Sequence, residues 1–258
     1  MKILLGPAGT GGTSLEGIRE IKKLGLTAVE VEFTYSIWMD NKEAELMGKE
    51  AKKLGLSLSV HASYFINLAS FETTKIHASK NRILKSCERA HYLGAKYVVF
   101  HPGFYQKKDK EEIYQTIKQQ ILDMQKTIKK NKWNVKLAPE TTGKQSQFGS
   151  VDELLRLKKE TKCHLTVDFA HIKARQNGKI DYDELFKKLK PIKQLHCHFS
   201  GIEYTQKGER RHLPTKEKDI KELLLFIKKH NINATIINES PDPLKDSLKT
   251  KKILETLK

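Results

Sequence analysis

Short apolar runs alternate along the chain with longer amphipathic stretches. The runs fall at residues 3–6, 28–33, 56–61, 97–101, 135–140, 165–168, 194–200 and 234–239, and each is followed by a stretch patterned for a helix. Eight such units in 258 residues average about 32 residues, the length of one βα repeat. Repeated βα units imply a parallel sheet. Eight of them predict an α/β fold of the (β/α)8 TIM barrel class, formed as a single domain over 1–258. An open doubly wound sheet uses the same elements and is the alternative. Within 14–25, Ser14 is placed to cap a helix and Gly25 to stop it. Within 109–131, Ile113, Ile117, Ile121, Met124 and Ile128 recur at helical spacing. The stretch 168–181, with Gln176-Asn-Gly178 inside it, carries the least pattern and is expected to be a long loop.

Composition narrows the class. With 38% hydrophobic and 31% charged residues, the chain is expected to fold around a sizeable core. Its longest apolar runs, at 97–100 and 234–237, fall far short of the ~18 residues that cross a bilayer. Met1-Lys-Ile-Leu-Leu-Gly6 meets a glycine too early for a secretory leader, so a cytoplasmic protein is expected. Cys87, Cys163 and Cys197 are odd in number and lack CxxC spacing, which fits reduced, packed thiols. The charge of 48 − 31 = +17 suits a polyanionic partner, but the lysines are spread along the chain, as on a solvated Lys-rich surface.

The chemistry collects at the ends of the predicted strands. His61 ends the third, His101 the fourth, Glu140 the fifth, Asp168 the sixth, His198 the seventh and Glu239 the eighth. In a parallel barrel these ends share one face, which His171 and His212 also join. A lone histidine at a strand end is ordinarily a hydrogen-bonded core residue. Six imidazoles and carboxylates together would cost several kcal/mol without a compensating cation, and the donor mix suits zinc, manganese or iron. His77, His91 and His230 fall in helical stretches and His164 begins a strand, so none of them joins the site. Glu30 and Glu32 alternate on the second strand and share one side of the sheet. Facing inward they would pair with site residues, and facing outward they would cap helices; both are left out of the metal set. The glycines of Gly6-Pro-Ala-Gly-Thr-Gly-Gly12 match neither nucleotide-binding spacing, so a tight turn is the better reading. Cys197 points away from the histidines on either side of it and cannot serve as their nucleophilic partner.

His61-Ala-Ser-Tyr-Phe-Ile-Asn67, Phe100-His-Pro-Gly103, Pro139-Glu-Thr-Thr-Gly143, Val167-Asp-Phe-Ala-His171 and Asn238-Glu239 stand in the order and spacing of the endonuclease IV family. The chain resembles these apurinic/apyrimidinic endonucleases, built on a TIM barrel like that of xylose isomerase, over nearly its whole length. The resemblance implies two or three zinc ions, with manganese or iron as substitutes. His61 and His101 would hold one ion, and Glu140 would bridge to a second held by Asp168, a seventh-strand histidine and Glu239. His171 and His212 would bind a third, and Tyr64 would enter DNA at the lesion.

Three positions depart from the family pattern. Gly6 stands where a histidine is usual. Leu195-His-Cys-His-Phe-Ser-Gly201 replaces the family's HLND, so His196 or His198 could be the ligand; aligning His-Phe-Ser-Gly with that motif favours His198, with His196 one layer below. Gly208-Glu-Arg-Arg-His212 replaces Asp-Arg-His, leaving Glu209 to take the Asp's place from one residue further away. Lys173, Arg175, Arg210 and Arg211, on the same loops, are placed to hold phosphates. The expected activity is cleavage of double-stranded DNA 5′ to abasic sites by a monomer, with Glu140, Asp168 and Glu239 around the attacking water and with no nucleotide cofactor or membrane. A sugar or sugar-phosphate isomerase or epimerase on the same barrel is the enzyme alternative, and a non-catalytic nucleic-acid-binding barrel is the other.

Overall fold

The computed structural model describes residues 1–11 and 14–257. Gly12 and the side chain of Ser14 lie outside the described residues, and with them the last glycine of the opening motif and the cap expected at Ser14. The described residues divide into two compact units, 1–30 with 167–258 and 31–166. No helix among them is long and apolar enough to cross a membrane.

In the unit 31–166, the strands are the end of β2 (Ala28–Glu32), β3 (Ser57–His61), β4 (Tyr97–Phe100), the short β5 (Gly103–Phe104), β6 (Lys136–Pro139) and the short β7 (Gln147–Phe148). Its helices are α2 (Asn41–Leu54), α3 (Thr73–Leu93), α4 (Lys110–Lys130) and α5 (Val151–Thr161). The main sheet runs β2-β3-β4-β6. Parallel pairing of Phe100 with Pro139 levels the C-terminal ends of β4 and β6. The expected helix over 109–131 forms as α4. Its stripe of Ile113, Ile117, Ile121, Met124 and Ile128 is buried, and the Asp109 carboxylate accepts from the backbone N–H groups of Glu111 and Glu112. Burial is worth roughly 1.5–3 kcal/mol per large apolar side chain and the cap about 1 kcal/mol.

The other unit carries β1 (Ile3–Pro7), α1 (Ser14–Lys23), the end of β8 (Thr166–Asp168), α6 (Phe169–Arg175), α7 (Tyr182–Leu189), β9 (Gln194–Phe199), β10 (Gly201–Thr205), β11 (Gly208–Leu213), α8 (Glu217–Lys229), β12 (Asn233–Asn238) and α9 (Pro243–Thr256). Its sheet runs β1-β12-β9-β8, with Pro7 opposite Asn238 and Asn238 opposite Phe199. The long loop expected over 168–181 is corrected: seven of its residues form α6. The Asp168 carboxylate caps that helix by accepting from the backbone N–H of His171 at 2.7 Å. The segment Phe-Ala-His-Ile-Lys-Ala-Arg is nearly all buried and so shows no polar stripe, which left it without helical periodicity. Gly178, at φ +87°, makes the turn that follows. The region after the seventh strand, read as a loop, is the antiparallel hairpin β10–β11. All three cysteines are buried free thiols.

Gly6 sits where β1 passes the start of β2, with Thr27 N–H donating to the Leu5 carbonyl and Ala8 bridging in parallel to Glu30. A β-carbon at Gly6 would lie 1.7 Å from the Ala28 carbonyl oxygen, so no side chain fits. Gly6→Ala must displace backbone, and overpacking of this kind costs about 1–3 kcal/mol. We expect a lower thermal midpoint for Gly6→Ala in calorimetry, while Gly11→Ala, where the added carbon meets nothing within 4 Å, is costly only through its φ of +72°.

Candidate metal centre

In the unit 31–166, strand register brings three sequence-predicted donors together. His61 is the last residue of β3, His101 follows β4 and Glu140 follows β6. Glu140 Oε2 lies 3.3 Å from His61 Nε2 and 2.9 Å from His101 Nε2. His61 Nδ1 is 2.7 Å from the Ala62 carbonyl, which can only accept, so this nitrogen carries the hydrogen. A neutral His61 therefore turns its Nε2 lone pair towards a carboxylate oxygen. Two acceptors at that distance repel unless a proton or a cation lies between them, and Glu140 is fully buried. Carboxylate, two imidazoles and a carbonyl that fixes one ring's tautomer make a fitting donor set for a divalent transition metal.

The other unit holds two further groups. Asp168, at the C-terminal end of β8, presents Oδ2 at 3.4 Å from His171 Nδ1. His171 Nε2 faces His212 Nε2 at 3.3 Å and Glu209 Oε2 at 3.4 Å. His212 Nδ1 donates to the Glu239 carbonyl at 2.8 Å, which leaves its Nε2 lone pair on the His171 side. Glu209 thus reaches the place expected of it. Three residues apart on a regular strand, Glu209 and His212 would point to opposite faces. The register of the hairpin shifts between Glu203 and Tyr204: Glu203 pairs with Arg211 and Tyr204 with Glu209, so Arg210 is an extra, bulged residue. The bulge returns Glu209 and His212 to one face.

On β9, His196 Nε2 is 2.9 Å from Glu30 Oε2, and His198 Nε2 is 2.8 Å from Glu30 Oε1. The opposite nitrogen of His198, Nδ1, faces Glu239 Oε1 at 3.1 Å. Burial by itself would push the Glu30 carboxyl up. The charge of His198 and the hydrogen bond from His196 outweigh it and hold the group well below the usual carboxylate range. Of the two directions open to Glu30, the structure takes the inward one: its side chain is fully buried against both histidines, while Glu32 is only partly buried. The available signal was a carboxylate flanked by Ala28, Val29 and Val31, a position that tolerates a charge only with partners inside.

Tyr64 follows β3 and is 56% exposed, its ring 5.9 Å from that of His61 and edge-on to Tyr35 at 6.2 Å. The expected phosphate holders are differently engaged. Lys173 pairs with Asp219 at 3.6 Å, and Arg175 ends α6. Arg210 and Arg211 both bind Glu203, at 2.7 and 2.6 Å, and the Arg211 hydrogen bond, with the Arg210 charge beside it, holds that carboxyl below its ordinary range.

Residues 18–258 match the family described as xylose isomerase-like TIM barrel. The uncharacterized protein MJ0133 of Methanocaldococcus jannaschii is 38% identical, over 90% of this chain and 91% of that one. A probable endonuclease 4 of Metamycoplasma arthritidis is 27% identical, over 74% of each chain. The crystal structure of endonuclease IV from Thermus thermophilus superposes with a TM-score of 0.72 at 18% identity, over 99% of this chain and 98% of that one. A D-tagatose 3-epimerase-like protein superposes with a TM-score of 0.71 at 21% identity, over 99% and 96%.

After chelation and reconstitution, the protein is expected to hold more than one transition-metal ion per chain by elemental analysis. Glu140→Ala and His212→Ala should each lower the count by about one, because ligand loss at one site leaves the other intact. Stripping metal should lower the thermal midpoint, since an ion at 100 times its dissociation constant stabilises by about 2.7 kcal/mol. A count below about one per chain would contradict the donor-set reading.

Proposed function

Because this chain belongs to the family of xylose isomerase-like TIM barrels, an α/β fold with catalytic groups at the strand ends, we propose that it is a metal-dependent phosphodiesterase that cuts double-stranded DNA 5′ to abasic sites. Zinc, or manganese or iron in its place, would bind at His61, His101 and Glu140, at His198, Asp168 and Glu239, and at His171, His212 and Glu209. There it would supply Lewis acidity and a water acidified towards neutral pH. The carboxylate of Glu140 in one unit, and those of Asp168 and Glu239 in the other, would each accept hydrogens from water held beside them. In-line attack of such a water on phosphorus would break the P–O3′ bond, the water's proton passing to a carboxylate and O3′ taking one up, and would leave a 3′-hydroxyl and a 5′-deoxyribose phosphate.

The observation that favours this reading over a sugar isomerase or epimerase is the exposed aromatic group beside His61. A small sugar is held in an enclosed pocket. Tyr64 and Phe65 are instead 56% and 59% exposed, and large apolar side chains held in water mark a surface that a partner covers. A duplex lacking a base offers the gap that such a wedge fills. Named relatives of the endonuclease 4 kind support the same reading.

The test is a duplex carrying one tetrahydrofuran abasic analogue, incubated with metal-loaded protein and resolved on a sequencing gel. Cleavage 5′ to the analogue is expected. Affinity should fall linearly with log salt, with a slope near −0.9 per phosphate contact. Arg210→Ala and Arg211→Ala should each reduce that slope by about one, whereas Glu203→Gln, which loosens both arginines, should tighten binding to intact and abasic duplex alike. Tyr64→Ala should lower the preference for abasic duplex and leave the slope unchanged. Salt-insensitive binding between roughly 50 and 200 mM would favour the isomerase reading.

A further inference from the structure

Three of the ten phenylalanines are exposed, Phe65, Phe71 and Phe104, and all three stand in the unit 31–166. Single exposed rings are ordinary, but a group of them marks a surface that a partner covers. Phe104 is a wall of two neighbouring hollows of about 560 and 580 Å³, each within the ~300–1,000 Å³ that holds a small-molecule-sized group. Its ring is carried on a fixed support. Phe104 lies in the two-stranded ribbon β5–β7, opposite Gln147. Gly103 lets that ribbon rest against residues 67–68: a β-carbon there would lie 2.5 Å from Asn67 Oδ1, and the Leu68 N–H donates to the Pro102 carbonyl at 2.9 Å. The first hollow reaches Tyr64, whose ring neighbours that of His61, so the face continues from the metal donors of this unit.

Cations stand among the rings. Lys75 and Arg82 line the first hollow and Lys107, Lys108 and Lys110 the second, while Glu72 is the one acid among the described lining residues. Lys108 Nζ lies 5.1 Å over the Phe71 ring and Lys110 Nζ 5.2 Å over that of Tyr105. The ion pairs of Lys75 with Glu72 and of Lys108 with Glu112 are exposed, and such pairs yield readily to a phosphate. Gln106 and Lys107 both take left-handed φ, +52° and +62°, in a turn that the Lys108 N–H closes onto the Tyr105 carbonyl. The Gln106 side chain ties that turn to the Ala69 carbonyl at 2.6 Å, which keeps its lysines beside the segment that carries Phe71. We propose that this face binds a single strand of nucleic acid, with bases stacked on Phe104 and phosphates along the lysines. Each unit of a single strand offers both a flat ring and an anion, and its bases are free to stack on a protein ring, as those inside a duplex are not. An acidic peptide brings the charge without the rings, and an anionic lipid surface is too flat to enter hollows on both sides of one ring. The inference goes beyond the duplex reading and uses none of the metal donors.

The test is fluorescence anisotropy of an end-labelled oligothymidylate of about ten nucleotides, within the span of single-strand grooves, titrated with the full chain. Binding is expected, with log affinity falling linearly with log salt. Phe104→Ala should weaken it about 5–150-fold, the range for losing one stacked base, and leave the salt slope unchanged. Lys107→Ala should flatten the slope by about 0.7, the value for one phosphate contact on a single strand. Phe104→Trp, which keeps a stacking surface, should retain binding and report it by indole quenching beyond that of the unaltered chain. Inorganic polyphosphate, which has the anions and no bases, should compete weakly, and equally in the unaltered chain and in Phe104→Ala. Oligothymidylate affinity that is the same in Phe104→Ala and the unaltered chain overturns the proposal. So does a polyglutamate peptide or a phosphatidylserine vesicle that binds more tightly than the oligothymidylate and is lost in Phe104→Ala. Absence of oligothymidylate binding overturns it too, and leaves the duplex reading to the cleavage assay.

Discussion

A buried imidazole offers a lone pair to a cation only if the hydrogen on its other nitrogen has an acceptor, and the chain's chemistry hangs on where those acceptors lie. For His61 and His212 they are the carbonyls of Ala62 and Glu239, both at the C-terminal ends of strands. Such carbonyls belong to the backbone, not to a side chain that could move: that of Ala62 is on the residue next to His61, and that of Glu239 follows β12. The backbone at the strand ends therefore does more than carry donors: its carbonyls decide which nitrogen of these two rings is available.

Much of this was legible in the residues. Eight strands were found within one or two residues of their ends because short, mainly apolar runs of strand length stand out between longer amphipathic stretches. The donors were visible for the same reason, since His61, Glu140 and Asp168 are polar residues directly after an apolar run. What escaped was whatever depends on a partner from elsewhere in the chain. The alternation of Glu30 and Glu32 says that they share a side, not which side. Only the two histidines of β9 identify it. Helix α6 escaped because a short helix buried nearly all round carries no stripe, although its cap, Asp168, was in view.

Two departures from the endonuclease IV pattern meet at the β1–β2 contact. Gly6 has no side chain because the Ala28 carbonyl fills the space. Glu30, two residues further along that strand, brings a carboxylate into the same unit and binds the pair of histidines that the family's HLND motif lacks.

The bulge at Arg210 bears on how chains of this kind can vary. Whether a strand residue reaches the metal or the solvent depends on whether its distance from a fixed ligand is odd or even, and a bulge changes that parity by one. One inserted residue together with one bulge is chemically silent: the carboxylate of Glu209 and the imidazole of His212 still share a face, and the two arginines are left together on the outside. Either change alone would turn a ligand outward. Hairpin length and hairpin regularity are therefore linked: in such a loop it is the parity of the intervening face, not the count of intervening residues, that keeps both ligands on one side.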